Sequence, residues 1–394
     1  MTNIPRRFLL VALNIDAILD ETSLARRKKT LQKVATTGVD IDNVYDRTLQ
    51  RIREQKGSRS RLGMKVLMWV SHAERPLWID ELLHALAAEP GSTDLDPDNI
   101  PPQDTVLASC LGLAVVDKDT LRVRLIHYTL QEFLSGPGVL PDAHKILGET
   151  CLTYLNYNEA KELPADNVLN LEGMPFLKYA SLYWGEHARI ELSDHAKSLA
   201  LQLLGQYNNH IAATLFLQTQ SPDFIPGTNH LFSGLHYASH FGIEEVVAAL
   251  IGMKGYDINQ GDCEGLTPLV WASREGNTGL VRLLLAKDNV DPDKPDMYGQ
   301  TPFWHASWSG HEEIVRMLLA QDGVNPDRPD DGGGTPLWWA SANGDVEVLK
   351  ILLALDNVNP DYIGFCDETP IEAASRCQHW EVVDLLQEAI HGTD

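Results

Sequence analysis

Thr267-Pro-Leu-Val-Trp-Ala-Ser-Arg-Glu-Gly276 returns 34 residues later as Thr301-Pro-Phe-Trp-His-Ala-Ser-Trp-Ser-Gly310, and again as Thr335-Pro-Leu-Trp-Trp-Ala-Ser-Ala-Asn-Gly344. Thr369-Pro370-Ile371 keeps the register, and Ser233-Gly234-Leu235 extends it backwards. Ala238, Ala272, Ala306, Ala340 and Ala374 recur in step, as do Leu250, Leu284, Leu318, Leu352 and Leu386. Gly242, Gly276, Gly310 and Gly344 do the same until Gln378 breaks the series. Such a period marks a solenoid, whose units cannot bury a core alone and must stack. A stack presents a long lateral surface, which points to binding rather than chemistry.

Residue types specify the elements of each unit. The Thr of each triplet caps a helix, and Pro occupies its first turn, where no intrahelical N–H is needed. A short helix, Leu269 to Ser273 in one copy, is stopped by Gly276. A second follows with apolar spacing of three and four, through Leu280, Leu283 and Leu284, or Ile314 and Leu318. Asp288-Asn-Val-Asp-Pro-Asp293 and Asp322-Gly-Val-Asn-Pro-Asp327 read as extended turns.

A 34-residue period is also that of tetratricopeptide repeats. The order of turn, Thr-Pro-Leu helix, glycine loop and second helix instead resembles the ankyrin repeat, with one extra residue in each link. Five units are expected, over about 229–262, 263–296, 297–330, 331–364 and 365–394. Copy one has Ser-Gly for Thr-Pro, and copy five has Gly364-Phe-Cys-Asp-Glu368 where copies two and three have Asp-x-x-Gly. Terminal units commonly depart because one face meets solvent.

The ankyrin resemblance implies protein partners docking on the fingers and the inner-helix face. Matching fingertip positions are Cys263, Glu264 and Leu266, then Met297, Tyr298 and Gln300, then Asp331 and Gly332. Inner-helix positions are Arg274, Glu275, Trp308, Ser309, Ala342 and Asn343. Six of the nine tryptophans fall in the array: Trp271, Trp304, Trp308, Trp338, Trp339 and Trp380. Trp271 and Trp339 are expected to thicken the core between repeats. Trp308 is expected to bind, because Trp is enriched in binding hot spots.

The formal net charge is −23, of which residues 229–394 carry about −18 and the first 228 about −5. So acidic an array argues against nucleic acid, where phosphate contacts supply most of the affinity, and favours basic protein partners. The five cysteines are odd in number, scattered and without a C-x-x-C pair, which suits a reducing compartment. The apolar run from Phe8 to Leu13 is interrupted by Asn14 and Asp16, unlike a signal peptide. No run reaches membrane-spanning length. A cytoplasmic protein is expected; Arg26-Arg27-Lys28-Lys29 offers a nuclear address as the minor alternative.

In the first half, helices are expected over Phe8–Leu19, Arg26–Val34 and Tyr45–Gln55. Further helices over Met64–Ala73, Ile79–Glu89 and 103–112 precede two β-branched runs, 113–117 and 121–126, joined by Lys118-Asp119-Thr120. Three helices and a hairpin make a winged helix. Helices over Ala143–Leu155, Phe176–Ala188 and His195–Leu204 suggest a bundle, and Pro222, Pro226 and Gly227 a boundary. The whole reads as mainly α: a helical segment (1–57), a winged-helix-like domain (58–136), a helical bundle (137–228) and the repeat array (229–394).

Phe8-Leu-Leu-Val-Ala-Leu-Asn-Ile-Asp16, Val66-Leu-Met-Trp-Val-Ser71, Arg75-Pro-Leu77, Glu81-Leu82, His84-Ala-Leu-Ala87, Cys110-x-Gly-Leu113 and Leu125-Ile-His-Tyr-Thr-Leu-Gln-Glu-Phe133 resemble the segment after the ATPase core of fungal NACHT–ankyrin proteins, receptors of the NLR type. The resemblance implies that a His matching His127 faces nucleotide phosphates in complete members. Here no G-x-x-x-x-G-K-[ST] cradles phosphate, so no nucleotide is expected and His127 is assigned to packing. The array would then serve as an adaptor, either in non-self recognition or as an accessory to a secondary-metabolite pathway.

Other chemistry is not indicated. His311-Glu312-Glu313 starts like a zincin helix without its second His. His236 and His240 lie one turn apart with no further ligand, which suits capping or packing. The Asp-Pro-Asp turns lack EF-hand spacing. Two hairpin arginines, Arg122 and Arg124, are too few for DNA binding on an acidic chain. The expected protein is not an enzyme and has no cofactor, catalytic group or metal site.

Overall fold

A computed structural model describes residues 23–26, 28–29, 41–164, 171, 173–220, 231–253 and 255–391. The helix expected over Phe8–Leu19, most of that over Arg26–Val34, and the boundary residues Pro222, Pro226 and Gly227 lie outside these. The described chain is mostly helical, as the sequence predicts, and divides into two compact units, one reaching to Ala196 and the other beginning at Lys197.

The first unit contains helices Ile41–Arg53, Ser58–His72, Ile79–Ala87 and Gln103–Ser109 and a short antiparallel pair, Ala114–Val116 with Val123–Leu125. Leu77 and Trp78 extend this wing: Val123 N–H donates to Leu77 O (2.8 Å) and Ile79 N–H to Leu121 O (2.9 Å). Val66, Leu67, Leu82, Leu113 and Leu130 are buried beneath it. Arg75 and Glu81 explain why the sequence needs both: their side chains form a bidentate pair at 2.6 and 2.8 Å, and buried Glu81 also accepts from Trp78 N–H at 2.9 Å. Losing either partner would strand a buried charge.

His127 caps helix Tyr128–Leu134, its Nδ1 accepting from Thr129 N–H at 3.2 Å. Of the hairpin arginines, Arg122 lies over the Trp78 ring (5.4 Å) and Arg124 pairs with Asp117 (3.5 Å). Helices Ala143–Leu155 and Leu177–Ile190 pack closely, and Trp69 meets Phe176 edge-on at 5.3 Å.

In the second unit, five helix pairs repeat: Gly234–His240 with Glu244–Ile251, Pro268–Arg274 with Thr278–Leu285, Pro302–Trp308 with Glu312–Leu319, Pro336–Asn343 with Val346–Leu353, and Pro370–Arg376 with Trp380–His391. Thr267, Thr301, Thr335 and Thr369 each accept from the backbone N–H three residues on, at 3.1–3.4 Å. The recurrent leucines and alanines are fully buried between neighbouring pairs.

Copy one departs for a reason other than the expected solvent exposure. Helix Ile211–Gln220 and Tyr207 cover it: Phe216 and Tyr207 lie 4.9 and 5.0 Å from the Tyr237 ring. A Cβ on Gly234 would stand 2.4 Å from Leu204 O, so no side chain fits where the other copies carry Pro. His236 uses both ring nitrogens, accepting from Ser233 N–H (2.9 Å) and meeting Gln260 O (2.8 Å), which is a capping role. His311 likewise reaches Arg274 O of the preceding repeat at 3.1 Å. The Asp291-Pro-Asp293 turn and its Asn-Pro-Asp counterparts form a ladder: Asn325 N–H approaches Asp293 Oδ1 and Asn359 N–H Asp327 Oδ2, both at 3.4 Å.

Candidate docking face of the repeat array

The fingers are built on one device repeated three times. Asp262, Asp296 and Asp330 are buried at the finger bases. Oδ1 of each accepts two backbone N–H groups of its own tip: Glu264 and Leu266 (both 3.0 Å), Tyr298 and Gln300 (both 2.9 Å), Gly332 and Gly334 (3.0 and 2.8 Å). Oδ2 reaches nine residues on to a ring on the inner helix: Trp271 Nε1 (3.0 Å), His305 Nε2 (3.0 Å) and Trp339 Nε1 (2.9 Å). One carboxylate thus folds the tip and ties it to its helix. Successive tips are joined by Met297 N–H to Glu264 O (2.8 Å) and Asp331 N–H to Tyr298 O (2.9 Å).

In copy five Gly364 occupies the Asp position, leaving no carboxylate. The tip becomes a tight turn, Phe365–Asp367, with Cys366 and Asp367 at φ 60° and 58°. Phe365 compensates by packing on Trp338 and Trp339 at 5.6 and 5.7 Å.

Where the second and third fingers meet the third inner helix, a cleft of about 260 Å³ opens. Glu264, Arg274, Tyr298, Gln300, Trp304 and Trp308 line it, with Leu266, Asp296 and His305 behind. Trp304 and Trp308 stack across one wall, 6.1 Å apart and 11° from parallel. Tyr298 and Trp308 remain exposed, at 50% and 42%, and Met297 beside them at 57%. Glu264 and Arg274 are the ionisable side chains at the mouth of the cleft.

The electrostatics follow from partial burial. Burial, then the charges of Asp262 and Asp296, raises Glu264 above the usual carboxylate range, and Arg274 opposes them. Burial also lifts Asp262 despite its bonds to Trp271 and two backbone N–H groups. Burial lowers His305, whose Nε2 faces Asp296. Among the described residues, Trp304 Nε1 and His305 Nδ1 are buried without a hydrogen-bond partner.

The expected docking residues thus divide. Glu264, Arg274, Tyr298, Gln300 and Trp308 converge on the cleft. Leu266 is not displayed at a tip; it is only 5% exposed, because its N–H is drawn down to Asp262 and its side chain closes the finger base. Glu275 pairs with Arg274 at 3.0 Å, and Arg274 lies 4.1 Å over the Trp271 ring. Asn343 is exposed but spends its amide on Trp308 O of the neighbouring repeat (2.8 Å). Ser309 and Ala342 are half-buried, Asp331 exposed. Trp271 is buried as expected; Trp339 is half-buried and tied to Asp330. Asp262, Asp296, Asp330, Trp304 and His305 were missed as site-forming. For the aspartates and His305 the signal was the Asp-x-x-Gly period, with a hydrogen-bonding ring nine residues later.

Residues 235–330 match the family model of ankyrin repeats, in three copies, and residues 332–364 that of a single ankyrin repeat. Residues 45–142 match the winged helix domain of GPI inositol-deacylase. No match is found among curated proteins. Ankyrin repeats support a role in protein–protein interaction, and neither domain type is typically catalytic. No described helix is long and apolar enough to cross a membrane. The second unit therefore carries ankyrin repeats, and the first a winged helix domain.

Proposed function

We propose that the chain is a non-catalytic adaptor that docks a basic protein segment on the face centred on Trp308. One observation carries this reading: the stacked Trp304 and Trp308 and the exposed Tyr298 surround a cleft at whose mouth Glu264 stands, on an array that is acidic throughout. A cationic side chain gains from both, by lying against ring faces and by meeting Glu264, which partial burial has left poorly solvated. The array's charge of about −18 steers such a partner toward it. A winged helix ahead of ankyrin repeats also favours descent from an NLR-like receptor, with the cytoplasm as its compartment.

The test is a pull-down with wild type beside Trp308→Ala and Tyr298→Ala. Loss of the same partner from both variants supports the reading; full retention by both places docking elsewhere. Titration with ATP and ADP is expected to give no heat of binding.

A further inference from the structure

Away from the array, the first unit brings together three residues far apart in sequence. Glu74 follows helix Ser58–His72, His144 lies in the first turn of Ala143–Leu155, and His187 lies near the end of Leu177–Ile190. His144 Nδ1 is 3.0 Å from His187 Nδ1, and His187 Nδ1 is 3.9 Å from Glu74 Oε1. One ligand atom from each lies within 4.8 Å of the others. A tetrahedral zinc ion with bonds of about 2.0–2.2 Å needs donor atoms about 3.4 Å apart, which these separations bracket.

We infer that Glu74, His144 and His187 form a binding site for a divalent transition-metal ion, zinc foremost. Two imidazoles and a carboxylate are a donor set zinc accepts, and they leave a fourth position free. That position opens on a pocket of about 540 Å³ lined by Glu74 and His144, which gives the ion an entry path and room for a water.

The surroundings orient the ligands. His187 is wholly buried, and its Nε2 lies 3.0 Å from Tyr179 Oη. Tyr179 Oη also accepts from Glu74 N–H at 3.0 Å. With His187 Nε2–H donating to that oxygen, the lone pair on Nδ1 faces the site, the arrangement typical of metal-bound histidine. Without an ion, two Nδ1 atoms at 3.0 Å require one to carry the proton; an ion would engage both lone pairs. Bound there, it would tie together three helical segments.

The test uses the full chain, stripped with a chelator and titrated with Zn²⁺ alone. One equivalent is expected to bind with a dissociation constant below about 1 μM. Cobalt(II) substitution should give the visible absorption of a four-coordinate ion, and Zn²⁺ should raise Tm. Glu74→Gln and His144→Asn sit on the pocket wall, so they carry the test in place of wholly buried His187. Each should abolish the cobalt spectrum and weaken Zn²⁺ binding at least tenfold while circular dichroism stays unchanged. Tyr179→Phe should weaken binding roughly 10-fold by releasing the His187 ring. Zn²⁺ affinity weaker than that micromolar bound, or affinity unaltered in both wall variants, overturns the assignment.

Discussion

Asp330 Oδ2 accepts the indole N–H of Trp339 at 2.9 Å while its other oxygen gathers Gly332 and Gly334 N–H. Asp296 with His305 and Asp262 with Trp271 repeat the relationship one and two units earlier. Hydrogen bonds to a buried charge contribute about 1.5–3 kcal/mol each but do not add fully, because they share one carboxylate. Asp330→Ala is therefore expected to lower stability by about 3 kcal/mol in urea denaturation. Trp339→Phe removes a single bond and is expected to cost about 1.5 kcal/mol. Equal losses from the two variants would contradict the carboxylate's role as organiser of the finger.

The array was legible because its constraints are local and repeated. Thr-Pro at a helix start and an apolar row at 34-residue spacing report on backbone and core alone. The winged helix was legible for a similar reason, its β-branched runs flanking a polar turn. Less visible was Asp262 acting on a ring nine residues away, since neither residue is unusual by itself. Leu266 was misread because its tip position says nothing of the N–H bond that turns it inward. The Glu74, His144 and His187 cluster left no trace, its members being separated by 70 and 43 residues. Only the packing of three helical segments creates it.

Gln378 sits at φ 64°, the conformation that Gly344 adopts one repeat earlier at φ 81°. A side chain in this region carries a steric cost that glycine lacks. Gln378→Gly is expected to stabilise the protein by about 1 kcal/mol, read as a raised urea midpoint. The converse change, Gly344→Ala, meets a second obstacle, because its Cβ would stand 2.5 Å from His379 Nδ1. It is expected to cost about 2 kcal/mol, and a neutral outcome would argue against this packing.

His236 sets a pH dependence. Burial pushes its imidazole down to about 4, against the opposing pull of Gln260 O. Nδ1 must accept from Ser233 N–H, so a proton there would set two N–H groups against each other. The folded value lies below the unfolded value of 6.5, so the unfolded chain binds more protons between pH 6.5 and 4. The stabilising contribution is complete above 6.5 and is lost as pH falls toward 4, on the order of 3 kcal/mol in all. Urea midpoints across that range should fall in wild type and fall less in His236→Gln. Parallel slopes would remove His236 from the account.

Trp304 and Trp308 share a stack but should answer differently to truncation. Trp304 is 5% exposed and packs edge-on against Trp339 at 5.5 Å, so Trp304→Ala leaves a cavity expected to cost about 3 kcal/mol of stability. Trp308 is 42% exposed, so Trp308→Ala should leave Tm within a degree or so yet cost about 2 kcal/mol in affinity for the captured partner. Trp380, 63% exposed on the last helix, supplies the control: Trp380→Ala should change neither. A cation drawn to Glu264 and the acidic array should also bind more weakly as salt rises, because charges farther apart than the Debye length, about 10 Å at about 0.1 M, are screened. Affinity insensitive to salt would leave the aromatic wall as the sole contributor and remove the basic character assigned to the partner.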